Sequence, residues 1–311
     1  MIVDMIVTNA KVLTMDPARP RAEAVAMDGG RIVALGSRAE VEALATPGTR
    51  MIDAKGRMVL PGFVESHLHL ALGGAELVQL QLDRVQGVAA VSAAFRAYAA
   101  RHPDIPVVMA QGAAYGCLGA DATRQMLDQI IADRPIAMMA PDHHTVWANT
   151  AALTAAGILH GAPMPHGHEI VMAADGTATG ELREFEALGP IIELAGLKRL
   201  NLGIATGQEP AIAPSVAERE ADKAHIARGL AHCARQGITS MVNMDGNRYL
   251  CELLSEMEAE GTLTARVVVP FHLKPDMDLS ALDRACAMQR DFTGDWVRSG
   301  FVKMFMDGRR P

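Results

Sequence analysis

Between residues 215 and 306, short apolar runs alternate with longer amphipathic stretches, and this alternation constrains the fold more than any other feature of the chain. Residues 216–236 read as a helix with its charges along one side, stopped at Gly237. Residues 238–244 then read as a strand ending in Asp245-Gly246, and 249–260 as a helix stopped by Gly261. A strand over 266–271, a helix over 279–289 and a strand over 300–306 ending in Asp307-Gly308 complete the series. Strands that alternate with helices at this spacing predict βα units and a parallel sheet, which right-handed crossovers curl into a barrel.

The first part of the chain has a different texture. Residues 1–60 predict a small, β-sandwich-like subdomain, with strands over 5–15 and a hairpin over 22–36 turning at Asp28-Gly29-Gly30. Residues 61–311 predict the barrel domain, interrupted by an insertion at about 70–214. Within that insertion, 88–101 and 123–132 have helical patterns, and 107–112 and 136–140 are apolar runs of strand type. An insertion after a barrel strand shapes the substrate pocket.

Composition narrows the possible partners. Half of the residues are hydrophobic and 21% are charged, as in a globular chain with a sizeable core. A net charge of -7 argues against nucleic acid and against an anionic membrane surface, which leaves a small-molecule substrate. Cys117, Cys233, Cys251 and Cys286 form no closely spaced pair, so they suggest thiols in a reducing compartment. With no basic leader and no long apolar run, the chain reads as cytoplasmic.

Two places carry chemistry-bearing residues in apolar surroundings. Residues 58–69 read as a buried strand entered through Pro61-Gly62 and ending in His67-Leu68-His69. Side chains alternate along a strand, so the two imidazoles share a face, where a metal ion satisfies both. A plain surface or core pair of histidines is the competing explanation. Lys303 lies in a second apolar strand, where an ammonium must be paired, deprotonated, snorkelling or modified. Spacing alone favours a salt-bridged structural lysine there.

The run from Leu60 to His69 resembles the first barrel strand of the amidohydrolase superfamily, a Pro-Gly-hydrophobic-hydrophobic-Asp-x-His-x-His pattern, with Glu65 where aspartate is usual. Val302-Lys303 followed by Asp307-Gly308 resembles the fourth strand of the branch that contains N-substituted formamide deformylases. Two further stretches resemble elements of that branch. They are Asp142-His143-His144 with Trp147, Asn149 and Leu153, and Pro165 to Ile170, where His166-Gly167-His168 replaces part of a glycine-rich turn, with the run from Asp175 to Glu184.

The resemblance implies a TIM-type (β/α)8 barrel and a metal-dependent hydrolase of an amide or formamide C–N bond acting through metal-activated water. It implies one or two divalent ions, zinc first, with His67 and His69 as ligands and Lys303 as a bridging carbamate. His144 becomes a candidate catalytic or substrate-contacting residue. Trp147 and, from its Gly-rich stretch after a buried strand, Tyr115 are candidate pocket walls, with ordinary packing as the competing reading for both. Asn149 is predicted to cap the helix that follows it.

The family's remaining ligands, two histidines and an aspartate on later strands, have no counterpart before Arg309-Arg310-Pro311. Only the first four barrel strands are therefore expected here. A second polypeptide carrying the C-terminal half, or a homo-oligomer, is the expected partner. Two alternatives stay open: a non-catalytic half-barrel or scaffold subunit, and a deaminase or lactonase of the same superfamily.

Overall fold

A computed structural model describes residues 3–274 and 277–305. The chain divides into two compact units, Met1–Phe63 and Val64–Pro311.

The first unit contains two small sheets. In one, the order is Arg31–Gly36, Ala24–Asp28, Met5–Thr8 and Arg50–Asp53; in the other it is Arg21–Ala22, Lys11–Leu13 and Met58–Val59. Gly29 and Gly30 turn the hairpin at positive φ, a conformation that costs glycine little. Val3, Ile6, Ala24, Ala26 and Val41 form its small core.

The second unit is built on two further sheets. A four-stranded sheet has the order Val297–Lys303, Arg266–His272, Ile238–Asn243 and Phe63–Leu68. Ile238–Asn243 pairs parallel with Arg266–His272, which pairs parallel with Val297–Lys303. The intervening helices Val216–Arg235, Arg248–Ala259 and Leu282–Asp291 fall where the alternating pattern predicts them. Ser215 and Glu218 form a reciprocal capping box at the start of the first helix, and Gly237 ends it at φ +79°. Leu70, Ile226, Leu253, Leu254, Val269 and Phe271 are buried in one core beneath this sheet. Each such side chain stabilises the unit by roughly 1.5–3 kcal/mol.

The insertion has a sheet of its own. Six strands run in the order Glu169–Met172, Ala178–Arg183, Thr145–Ala148, Ile136–Met139, Val108–Gln111 and Leu80–Gln81. Alternate residues of its strands enter separate cores. Val108, Ala110, Ile136 and Met138 pack with Val91 and Phe95 of helix Val88–Arg101. Met109, Ala137 and Met139 pack with Leu153 of helix Thr150–Ala155 and Leu188 of helix Phe185–Leu194. Both faces are thus covered, which accounts for the continuous apolar runs.

Two expectations need correction. The stretch over 58–69 is not one buried strand: it divides into Met58–Val59 and Phe63–Leu68, and Phe63 and Val64 are 56% and 70% exposed. Phe63–Leu68 ends the order of its sheet, so only one side is covered by a neighbouring strand. The lysine strand starts three residues earlier than predicted and ends at Lys303. Asp307-Gly308, part of the resemblance, lies outside the described residues. Among the described residues, no helix is long and apolar enough to cross a membrane.

Candidate active site

His67 is at the end of strand Phe63–Leu68, and His69 is the residue before helix Leu70–Glu76. Their rings stand edge to face, with centroids 5.7 Å apart. Neighbouring side chains fix this chain reversal. Asn243 Oδ1 accepts from the Leu70 amide at 2.8 Å, and the Asn243 amide donates to the Asp245 carbonyl at 2.6 Å. Met244 N donates to Leu68 O at 2.8 Å and ties the two strand ends together.

Asp245, just past Ile238–Asn243, is 1% exposed and lies 2.5 Å from His69 Nδ1 through Oδ1. Its Oδ2 is buried with no hydrogen-bond partner among the described residues. Burial pulls the His69 pKa down, but the hydrogen bond and charge of Asp245 outweigh it and leave the pKa raised. A carboxylate on Nδ1 favours the tautomer whose Nε2 carries a lone pair, the form that binds a metal.

A cavity of about 880 Å³ opens beside this pair and is lined by His67, His69, His143, His144, Glu76 and Lys303, among others. Its apolar wall includes Met109 and Met139 from the inserted sheet, with Phe185 and Phe305. The Lys303 ammonium lies 4.6 Å from the centroid of Phe305. Burial pushes the Glu76 carboxyl up to about 7, and Glu76 Oε1 stands 3.5 Å from His143 Nδ1. Burial and the nearby charge of His69 push His143 down.

His144 enters from the start of strand Thr145–Ala148. Its backbone amide donates to Asp142 Oδ1 at 3.1 Å, and its Nδ1 lies 2.9 Å from Glu184 Oε2. Glu184 is 8% exposed, and its Oε1 has no partner.

The cavity thus brings together His67, His69, His144 and Lys303. Tyr115 and Trp147 do not line it: Trp147 is buried in the core of the inserted sheet, and Tyr115 meets it edge to face while donating to Thr145 Oγ1 at 2.8 Å. Asn149 caps helix Thr150–Ala155 by accepting from the Ala152 amide. His166 and His168 are also outside the lining, with His168 Nδ1 accepting from the Glu186 amide.

Several residues were not singled out for these contacts. Asn243, Glu76 and Glu184 approach the histidines from elsewhere in the chain, so no local spacing marks them. His272, hidden in an apolar strand, is fully buried and pairs in register with Lys303. Its Nδ1 is 2.9 Å from Gly203 O, its Nε2 has no partner, and burial lowers its pKa to about 4.

The donor set fits a divalent ion in part, through two imidazoles on one cavity and a buried carboxylate with an unpartnered oxygen. Among the described residues, no group of three or more His, Cys, Asp or Glu side chains is placed to hold a metal.

Comparison with known proteins gives the same direction. The family model described as "Amidohydrolase family" matches residues 50–311. The amidohydrolase YtcJ of Bacillus subtilis is 28% identical over 96% of this chain and 53% of its own length. An N-substituted formamide deformylase of Arthrobacter pascens is 30% identical over 59% of this chain and 35% of its own. An uncharacterized metal-dependent hydrolase from Pyrococcus horikoshii superposes with a TM-score of 0.67 at 20% identity, over 98% of this chain and 55% of that one. The chain spans about half the length of relatives that it matches from end to end.

Proposed function

The chain belongs to the amidohydrolase family, and on that premise we propose that it forms one side of the active site of a metal-dependent hydrolase of C–N bonds in amides or N-substituted formamides. The observation that carries this reading is the convergence of His67, His69 and Lys303 on one cavity, with Asp245 behind His69. The Arthrobacter relative, an N-substituted formamide deformylase by name, supports the substrate class.

His67 and His69 would hold one divalent ion, and Lys303, as its carbamate, would bridge to a second. Zinc is the first candidate. Such an ion supplies Lewis acidity toward a carbonyl and makes water acidic enough to react near neutral pH. The chain's own residues orient and enclose the reaction. Asp245 accepts a hydrogen bond from Nδ1–H of His69 and holds its ring in one tautomer. Met109, Met139, Phe185 and Phe305 shelter the hydrocarbon part of a substrate from water.

In this reading the four-stranded sheet is the first half of a (β/α)8 barrel, and residues 1–60 are a β-sandwich-like subdomain. A second polypeptide or a further copy of the chain is the proposed partner, within the cytoplasm. A scaffold role without catalysis is the second reading, favoured by the lack of a three-ligand group among the described residues.

The test is the mass of the native assembly together with its metal content, for wild type and for His67→Ala/His69→Ala. The hydrolase reading expects about one or two metal ions per assembly, lost in the double variant, and turnover of N-alkylformamides. A metal-free, inactive assembly supports the scaffold instead.

A further inference from the structure

Glu184 is held in an unusual way. Its backbone has φ +66° and ψ 160°, a region that essentially only glycine occupies without strain. His143, one residue before His144, is also at positive φ, +60°. Two strained positions therefore flank one contact, His144 Nδ1 to Glu184 Oε2 at 2.9 Å. The Glu184 amide also donates to the His144 carbonyl at 2.9 Å, so backbone and side chain both join the two residues. The Glu184 side chain is 10% exposed, whereas His144, on the cavity wall, retains 42%. The carboxylate is thus the buried support and the imidazole the accessible group.

An ionised carboxylate only accepts hydrogen bonds, so the shared proton belongs to Nδ1. In a neutral ring, Nε2 is then an acceptor. Phe185, the next residue after Glu184, stands 5.8 Å from the His144 ring and gives the position an apolar flank.

We propose that Glu184 is a positioning residue, fixing His144 in the Nδ1–H tautomer so that Nε2 accepts the N–H of a secondary amide or N-monosubstituted formamide. This deepens the hydrolase reading and rests on it for the reaction, although the tautomer itself does not depend on that reading. The consequence is selectivity. A substrate with an N–H gains a hydrogen bond that an N,N-disubstituted amide, or a lactone, cannot make. Loss of one such bond corresponds to about a tenfold discrimination.

The first measurement is nitrogen-15 NMR of the histidine rings in the full chain, with the His144 signals identified by their loss in His144→Gln. Wild type and Glu184→Gln, whose amide oxygen still accepts, should show the Nδ1–H tautomer, and Glu184→Ala should lose it. An unchanged tautomer in a folded Glu184→Ala overturns the positioning role. The second measurement titrates N-ethylformamide and N,N-diethylformamide as probes. A shift of His144 Nε2 with the first alone supports the N–H acceptor, whereas equal shifts or none overturn it. Turnover of the two probes is then compared. A KM advantage of about tenfold for the N–H probe, lost in His144→Gln, supports the selectivity, and equal KM values overturn it. If the tautomer result holds and the assembled, metal-loaded enzyme turns over neither probe, the hydrolase reading fails while the positioning role stands.

Discussion

Helix Leu70–Glu76 follows the histidine pair directly, and its two adjacent glycines should respond to the same substitution with opposite signs. A Cβ on Gly73 meets nothing within 4 Å, so Gly73→Ala brings only the reduced backbone entropy of alanine, a stabilisation of about 0.5–1 kcal/mol. Gly74 faces helix Val216–Arg235. A Cβ there runs into the His225 carbonyl oxygen and comes within 2.9 Å of Gly229 N, both backbone atoms that no rotamer change can move aside. The reverse contact is also too close, since a Cβ on Gly229 would lie 2.6 Å from Leu70 O. Overpacking costs typically 1–3 kcal/mol, and a rigid neighbour argues for the upper end. Set against the helix gain, Gly74→Ala should lose about 2 kcal/mol net. At roughly 2–4 °C per kcal/mol for a unit of this size, its melting temperature should fall by about 4–8 °C while that of Gly73→Ala rises slightly. Thermal melts followed by circular dichroism suffice. Shifts of the same sign, or a Gly74→Ala transition at the wild-type temperature, would refute the close helix crossing.

Two electrostatic predictions follow from the cavity. Glu76 has a pKa of about 7 in the folded chain against 4.5 as its ordinary value, so folding takes up a proton between those limits. The associated stability is full below pH 4.5, is lost as pH rises through 7, and amounts to at most about 3 kcal/mol. Urea midpoints across that window should therefore fall with rising pH in wild type and lie flatter in Glu76→Gln; identical slopes contradict the buried acid. Asp245→Asn leaves the burial of His69 but removes the charge that outweighs it. An NMR titration of the metal-free chain should find His69 below the ordinary imidazole range in that variant, and a value still raised would show that another group holds the proton.

The elements that the sequence announced clearly are those whose signals are local. Helix Val88–Arg101 matches its predicted range, and Gly237 follows the long helix at positive φ, where the stop was predicted. The strand count from the histidine pair to Lys303 also agrees with the order of the four-stranded sheet. The apolar character of Phe63 and Val64 misled because hydrophobicity cannot tell a covered strand from one with a neighbour on one side only. The pairing of the carboxylates with the two imidazoles was illegible for a different reason. Asp245 lies 176 residues from His69 and Glu184 lies 40 residues from His144, and tertiary folding alone brings them together. Glu184 gave a weaker hint still, since its residue type is the opposite of what its backbone conformation favours.

The inserted six-stranded sheet has its own hydrogen-bond ladder and its own cores, yet delivers His144, Met109 and Met139 to the cavity that His67, His69 and Lys303 reach from the other sheet. Two frameworks that share a cavity but no ladder can vary independently. Replacing a methionine on one wall changes the shape and polarity that a guest meets without disturbing the strand ends that carry the paired histidines. Under the proposed hydrolase reading, this would separate two tasks in redesign: acceptance tuned on one framework, reactivity preserved on the other.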